Sequence, residues 1–345
     1  MELKADLRER YIKKQRDLSE KRLYPSFPRI IKIDTCNVCN YHCVFCPQSK
    51  QKDKVGCIDK ELCFRLIEDS YRGGGRQLRL SMTGEPLINQ ELESYIRFAK
   101  QLGYEYIFLN TNGYFMDEKR GMNLIDSGID SVKVSINSSM KSYELIHGVD
   151  AYERVVENII AFDQYRKKVG SRCKLYISFV AVKQTLDEVE TLKQELGAYV
   201  DDIIVMNANS RGGSISEIEE CLYAGEDEFS FQYPCSQLFN NIYVTAEGYL
   251  IICCQDFENL TVVADLHEEP IIEAWNNTKF TEFRKKYLTH NLKGTLCYNC
   301  VNNTVERVIP LTPSVAHYTT SDELEKCLQK RIIELDRRAR EKENG

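Results

Sequence analysis

The sequence predicts an α/β fold in which a parallel sheet forms a partial (β/α)6 barrel, followed by a small cysteine-rich module. Short β-branched runs alternate with helical patterns six times between residues 29 and 210, as in parallel sheets whose strands are joined by helices. Six units are too few for a full eight-stranded barrel, so we expect an open one. Polar loops after the first strands and two dense groups of cysteines complete the pattern.

The predicted strands and helices follow from apolar periodicity and from glycine and proline punctuation. Residues 1–28 have the pattern of a charged N-terminal helix that ends at the Pro25 and Pro28 pair. Strands are predicted at residues 29–34, 77–82, 106–110, 131–136, 175–180 and 202–206. Helices are predicted between them, at about residues 58–72, 89–102, 117–127, 151–168 and 185–197. The barrel is therefore expected to span residues 29–210.

Beyond residue 210 the alternation stops and a second module is expected at residues 211–305. It begins with a polar linker at residues 211–234, continues with a hairpin around Gly248, and has a helix near residues 270–288. Residues 306–345 form a tail whose charged helix opens at a Ser/Asp cap near Ser321.

Composition restricts the class of protein. The formal net charge is −6, which argues against nucleic acid as the main partner, and no apolar run is long enough to span a membrane. The N-terminus has no secretory signal, so we expect a cytoplasmic protein. Disulfides are rare in that compartment. The 14 cysteines, concentrated near residue 40 and between residues 235 and 300, therefore indicate metal binding.

The first cysteine group is a C-x3-C-x2-C loop formed by Cys39, Cys43 and Cys46. It follows the first strand directly, and sites in such folds lie at the carboxyl ends of the strands. Three neighbouring thiolates suit an iron–sulfur cluster, and with four irons one iron would stay open to a ligand. Zinc is the alternative, because Cys36 or His42 can supply a fourth ligand.

The cysteine loop resembles that of the radical S-adenosylmethionine (SAM) superfamily, including an aromatic residue before the last cysteine. Met82-Thr83-Gly84-Glu85-Pro86 is similar to the Gly-Gly-Glu-Pro segment of that family, with Thr83 in place of the first glycine. Thr111-Asn112-Gly113 and Ser135-Ile136-Asn137 are similar to the strand ends that approach SAM. The SAM contacts that the resemblance implies are Phe45, Gly84, Glu85, Pro86, Asn112, Ser135 and Asn137.

This resemblance implies a reaction. SAM would bind the open iron of a [4Fe–4S] cluster, and its reductive cleavage would give a 5′-deoxyadenosyl radical that takes hydrogen from a substrate. Flavodoxin or ferredoxin is the usual electron donor in the family.

The second cysteine group has the spacing Cys235-x12-Gly248-x4-Cys253, followed by Cys297-x2-Cys300. Four thiolates can close the coordination of one cluster, and a structural zinc ribbon is the alternative. The spacing resembles the SPASM/twitch extensions of radical SAM enzymes. Because residues 301–326 contain no cysteine, the resemblance implies one auxiliary [4Fe–4S] cluster, and two clusters in all.

Cys254 adjoins Cys253 and has three possible roles. It is a small core residue, an alternative ligand, or a thiol that returns a hydrogen atom to substrate, as in related sugar epimerases.

Among twitch enzymes the chain looks most similar to the 2-deoxy-scyllo-inosamine dehydrogenase type. The similar segments are Asn209-Ser210-Arg211-Gly212-Gly213, Cys253-Cys254-Gln255-Asp256-Phe257 and residues 274–280 and 296–303. In that family a four-cysteine cluster accepts the second electron of an alcohol oxidation. Arg211 then matches an arginine near the reacting hydroxyl, and a structural capping or ion-pair role for Arg211 is the alternative. Gln255 replaces an acid, which indicates a different substrate.

The expected function is thus a radical SAM oxidoreductase that acts on a hydroxyl-bearing carbon of a sugar, aminosugar or cyclitol. Epimerisation, with Cys254 as hydrogen donor, or dehydration of such a substrate is the second enzymatic possibility. Peptide or protein modification is the third; many such enzymes carry a leader-binding domain for which the residues before Cys39 are too few. A simple electron-transfer protein would have no use for the Gly-Glu-Pro and Thr-Asn-Gly segments.

Overall fold

The computed structural model describes residues 23–50, 56–208, 212, 235–302, 304–317 and 322–343. Most of the predicted N-terminal helix, nearly all of the linker, Arg211 and Ser321 lie outside the described residues. Within the described ranges we find no helix with the length and apolar character needed to cross a bilayer.

Nine strands form a single sheet in the order β6-β5-β4-β3-β2-β1-β7-β8-β9 among the described residues. Neighbours from β6 through β1 to β7 are parallel, and the last two pairs are antiparallel. The strands are β1 Ile30–Ile33, β2 Gln77–Arg79, β3 Tyr106–Thr111, β4 Ser131–Ser135, β5 Lys174–Ala181, β6 Asp202–Asn207, β7 Asn241–Val244, β8 Tyr249–Ile251 and β9 Val262–Asp265.

Eleven α-helices accompany this sheet in the described ranges. They are α1 Lys60–Gly73, α2 Leu92–Leu102, α3 Glu118–Asp126, α4 Tyr143–His147, α5 Tyr152–Lys168, α6 Glu188–Leu196, α7 Gln237–Asn240, α8 Ile271–Ala274, α9 Thr278–Leu288, α10 Leu296–Asn302 and α11 Asp322–Glu343. The six parallel strand predictions and the five barrel helices are confirmed to within a few residues, and the short α4 is an addition.

The two faces of the barrel strands differ in polarity. Ile31, Leu78, Ile107 and other alternate strand residues are fully buried in one core with the apolar residues of the barrel helices. Because successive strand residues point to opposite faces, Lys32 and Arg79 lie on the other, concave face. Helices therefore cover one side of the sheet, while the concave side carries polar groups.

The cysteine-rich module continues the barrel sheet. Its first strand, β7, pairs in parallel with β1, so that Tyr243 lies beside Lys32. The predicted hairpin around Gly248 is confirmed as β7 and β8. This pairing brings both cysteine groups to neighbouring parts of the same sheet.

Two helix predictions are wrong in part. Residues 23–28 are not helical, since Pro25 and Pro28 interrupt the pattern and the Pro25 carbonyl accepts a hydrogen bond from the Trp275 indole. The helix expected near residues 270–288 is divided into α8 and α9. The Asn277 side chain accepts from the Phe280 amide and caps the start of α9.

Candidate active site

The loop that carries Cys39, Cys43 and Cys46 follows β1 at its carboxyl end and is held by backbone hydrogen bonds to α4. We call residues 34–49 the cysteine loop. The His42 amide donates to the His147 carbonyl and the Val44 amide to the Ile146 carbonyl, each at 3.0 Å. The loop is thus paired with the end of a helix that the strand–helix pattern did not predict.

The three thiols are half-buried and none forms a disulfide. Burial, with Cys46 and Cys39 close by, raises the pKa of the Cys43 thiol well above its usual range. Among the described side chains no three His, Cys, Asp or Glu groups converge on a point that would hold a single metal ion. A cluster with one thiolate on each iron requires no such point.

The Thr83-Gly84-Glu85 segment lies directly against the cysteine loop. The Glu85 amide donates to the Val38 carbonyl at 2.9 Å. A Cβ atom on Gly84 would lie 2.4 Å from the carbonyl oxygens of Cys36 and Val38, so this close approach requires glycine. Thr83 donates through its hydroxyl and its amide to Asp34. Thr83, which stands where the family has a glycine, thus has a local role as a hydrogen-bond donor to Asp34.

The Glu85 carboxylate joins two loops. Its Oε1 atom accepts from the Thr111 hydroxyl at 2.6 Å and its Oε2 atom from the Asn112 amide at 2.7 Å. Burial raises the pKa of Glu85 to about 7, although these donors oppose the shift. The same cause raises the pKa of Asp34 to about 7. Both acids lie buried beyond the carboxyl ends of β1 and β2. We call this edge of the sheet the rim, and SAM contacts are expected there.

The remaining strand-end residues converge on the same rim. The Asn112 Nδ2 atom is 2.8 Å from Asn40 Oδ1 and 3.9 Å from Cys39 Sγ. Asn137 Oδ1 accepts from the Val180 amide at 2.7 Å. Ser135 ends β4 and pairs with Ser178 of β5. Pro86 begins a buried one-turn 3-10 helix.

The outer side of the cysteine loop is covered by α11, the helix of the predicted tail. Val44 and Phe45 are buried in one apolar cluster with Leu328, Ile332 and Leu335. The Phe45 ring therefore packs on this helix, and its expected contact with SAM remains a prediction.

Arg331 of α11 brings a cation to the same loop. Its Nη2 atom donates to the His42 carbonyl, and its charge acts on the Cys43 thiol, lowering that thiol's pKa against the effect of burial. The Nε and Nη1 atoms are buried with no hydrogen-bond partner in the part of the chain that the structure describes. A guanidinium that acts on the Cys43 thiol and has two buried donor atoms fits a negatively charged group such as a thiolate-ligated cluster.

The second cysteine group is assembled from three separate segments. Cys235 precedes α7, Cys253 follows β8, and Cys297 and Cys300 lie on α10. Cys235 acts electrostatically on each of the other three thiols. Burial raises the pKa of Cys235 to about 11 and that of Cys300 to about 12. These four thiols can hold one fully coordinated cluster.

A buried polar group lies beside these thiols. Lys32 donates from Nζ to the Tyr243 hydroxyl at 3.0 Å, and the ammonium lies 4.6 Å from the centre of the same ring. Tyr243 is fully buried and hydrogen-bonded with Cys254. Desolvation lowers the pKa of Lys32, while Cys254, Cys253 and Cys235 act against that shift. Cys254 thus contacts Tyr243 on the concave side and acts electrostatically on Lys32.

Sequence reasoning missed Lys32, His147 and Arg331. They belong to no motif, and each reaches the site through an element distant in sequence from the cysteines it approaches. Lys32 had a weak signal, since a lysine interrupts an otherwise apolar strand pattern at Ile30–Ile33. Arg211 lies outside the described residues, so its expected position stays a prediction.

Comparison with protein families matches two parts of the chain. Residues 33–196 match the radical SAM superfamily, and residues 235–301 match SPASM, an iron–sulfur cluster-binding domain. This chain is a radical SAM enzyme with a SPASM domain. Radical SAM enzymes use SAM and a [4Fe–4S] cluster, and SPASM domains bind auxiliary iron–sulfur clusters. These family matches support iron–sulfur clusters rather than zinc as the cofactors of the chain, and the assignment of individual cysteines as ligands remains a prediction.

Two curated relatives show how far the similarity extends. The SAM-dependent 2-deoxy-scyllo-inosamine dehydrogenase of Niallia circulans is 27% identical over 288 residues, which are 80% of this chain and 94% of that enzyme. A probable GTP 3′,8-cyclase of Saccharolobus islandicus is 30% identical over 130 residues, only 37% of this chain and 42% of that protein.

Solved structures agree on the fold of this radical SAM enzyme. BtrN in complex with AdoMet and 2-DOIA aligns with a TM-score of 0.54 and 21% identity, covering 86% of this chain and all of that one. Streptococcus suis SuiB bound to SAM aligns with a TM-score of 0.62 and 15% identity, covering 87% and 80% of the two chains. At these identities the likeness establishes the fold alone.

Proposed function

We propose that this radical SAM enzyme oxidises a hydroxyl-bearing carbon of a sugar, aminosugar or cyclitol, with one auxiliary [4Fe–4S] cluster accepting the second electron. The observation that carries the proposal is the four-thiol group around Cys235, with Lys32 beside it. Four thiolates leave no iron open to substrate, so that such a cluster serves electron transfer. The 27% identity over 94% of a cyclitol dehydrogenase supports the same assignment.

The roles follow from position. Cys39, Cys43 and Cys46 would hold the SAM-binding cluster, while Gly84, Glu85, Pro86, Asn112, Ser135 and Asn137 would form the SAM-binding rim. When bound, SAM and this cluster supply the radical that takes one hydrogen atom from the substrate carbon. The substrate must then lose a proton and an electron to become a carbonyl.

Lys32 would favour that electron transfer. A buried ammonium that acts on the Cys235 and Cys253 thiols stabilises an added negative charge on their cluster more strongly than an exposed one would, because little water screens it. Arg211 would orient the hydroxyl as a permanent cation, since arginine is not deprotonated in proteins. The electron that starts each cycle would come from flavodoxin or ferredoxin.

Epimerisation is the second candidate, favoured by the position of Cys254. Its side chain is hydrogen-bonded with Tyr243 on the concave side. If Cys254 returned a hydrogen atom to the substrate radical, the Cys254→Ala variant would still cleave SAM in the presence of substrate but would form no epimer. In the dehydrogenase, Cys254→Ala keeps most of its ketone-forming activity.

Iron counting tests the proposal. Wild type, purified and reconstituted without oxygen, should hold about eight irons per chain, as two four-iron clusters. The Cys39→Ala/Cys43→Ala/Cys46→Ala variant should hold about four and lose SAM cleavage. About four irons in wild type, all lost in that variant, would contradict an auxiliary cluster and favour a dehydratase. Once two clusters are established, deuterium transfer from C-deuterated cyclitols and aminosugars to 5′-deoxyadenosine would identify the substrate.

A further inference from the structure

His147 contacts Cys43, a proposed ligand of the SAM-binding cluster. The side chain is 1% exposed, and its Nδ1 atom lies 3.4 Å from Cys43 Sγ. No motif marks this residue, which ends the five-residue helix α4. The backbone pairing of α4 with the cysteine loop places the two side chains together.

The hydrogen bonds of His147 determine which ring nitrogen carries the proton. The backbone N–H of Asn137 donates to the Nε2 atom at 3.2 Å, so Nε2 is an acceptor and bears no hydrogen. In a neutral imidazole the other nitrogen is then the donor. The N–H bond at Nδ1 therefore faces the sulfur of Cys43.

Aromatic neighbours fix the plane of this ring. The Tyr143 ring lies with its centre 4.2 Å away at 33°, and the Tyr41 ring packs edge-on at 5.5 Å. Together with the Asn137 amide, these contacts hold the imidazole in one orientation. The Nδ1 donor is thereby aimed at the Cys43 sulfur.

We propose that His147 is a positioning residue that donates a hydrogen bond from Nδ1 to the Cys43 sulfur and makes the SAM-binding cluster easier to reduce. A hydrogen bond to a ligating thiolate withdraws negative charge from the sulfur, which stabilises the reduced cluster and raises its potential. The inference rests on the proposed function, because it takes Cys43 as a cluster ligand.

Two variants of similar size separate this role from simple packing. His147→Asn places a side-chain amide N–H where Nδ1 stands in wild type, so the donor to the sulfur is kept. His147→Gln places a carbonyl oxygen where Nε2 stands in wild type. That oxygen accepts from the Asn137 backbone N–H, but the variant gives no donor to the sulfur. Reductive titration followed by EPR measures the midpoint potential of the cluster whose signal changes when SAM is added. We expect a more negative potential in His147→Gln and a value near wild type in His147→Asn.

The inference is overturned if both variants shift the potential equally, or if neither does. If neither variant retains the cluster, wild type labelled with 15N-histidine supplies the decision. Pulsed EPR should then detect a 15N coupling to the SAM-sensitive cluster, and the lack of this coupling overturns the inference. A wild type with no SAM-sensitive cluster that depends on Cys43 would instead contradict the proposed function.

Discussion

The ammonium group of Lys32 donates to the hydroxyl of Tyr243 at 3.0 Å, across the parallel pair of β1 and β7. This contact joins the barrel to the cysteine-rich module and holds a cation beside the thiols of the second group. The pairing of the two strands therefore has an electrostatic consequence as well as a structural one.

Removing this charge should make the auxiliary cluster harder to reduce. A unit charge about 10 Å from another contributes about 1.7 kcal/mol at an effective dielectric constant of about 20, or roughly 70 mV for one electron. We expect Lys32→Met to shift the midpoint potential of the cluster that does not respond to SAM to a more negative value by this order. Lys32→Arg, which keeps the charge, is the control, and equal shifts in both variants would refute the charge effect.

Gly84→Ala should disturb the cysteine loop. The added methyl group would meet two backbone carbonyl oxygens at 2.4 Å, and backbone cannot rotate away as a side chain can. We expect a loss of about 1–3 kcal/mol in stability, typical of overpacking, together with weaker SAM binding. Equilibrium binding of SAM to the anaerobic protein measures the effect.

Gly170→Ala supplies the control for this variant. Any other residue at Gly170 is strained, because its φ of +64° lies in the left-handed region, but an added Cβ there meets no atom within 4 Å. Its strain costs about 1–2 kcal/mol without touching the site. Equal loss of SAM binding in the two variants would show that stability alone explains the result.

Glu85 should make stability depend on pH. Its pKa is about 7 in the folded protein and near 4.5 in the unfolded chain, so that the folded state binds the proton more tightly. Its contribution is therefore fully present below about pH 4.5 and is lost as pH rises to about 7. Wild type should lose stability relative to Glu85→Gln between pH 5 and pH 8, by about 1–3 kcal/mol.

Urea denaturation of both proteins at several pH values measures that difference. Arg120 opposes the rise in the pKa of Glu85, while Thr111, Asn112 and Leu87 donate hydrogen bonds to its carboxylate. Asp34 shares the direction of its shift and remains in both proteins, so it cancels in the comparison. A constant difference across this range would contradict an elevated pKa of Glu85.

The helix α11 should protect the cysteine loop. Ile332 is 4% exposed in the cluster with Val44 and Phe45, whereas its neighbour Ile333 is 65% exposed. We expect Ile332→Ala to weaken the contact by about 2–4 kcal/mol and to speed the release of iron from the SAM-binding cluster to a chelator. Ile333→Ala should release iron at the wild-type rate, and identical rates in all three proteins would show that α11 gives no protection.

The sequence by itself determined the barrel and the cysteine groups. The spacing of apolar residues locates the strands and helices, because the pattern of buried residues in each element can be recognised within a short stretch of sequence. The C-x3-C-x2-C loop is equally local, since its three cysteines lie within the eight residues 39–46. The division of α8 from α9 was missed because the capping of α9 by Asn277 outweighs helix propensity across residues 275–277.

Only the tertiary structure decided which distant groups surround the cysteines. His147, Arg331 and Lys32 reach them from a short helix, the C-terminal helix and the neighbouring face of β1. Their positions depend on strand pairing and helix packing between segments as far apart as His42 and Arg331, where sequence spacing carries no information. Local patterns thus specified which residues can ligate metal, and long-range packing specified the charges and hydrogen bonds that surround those ligands.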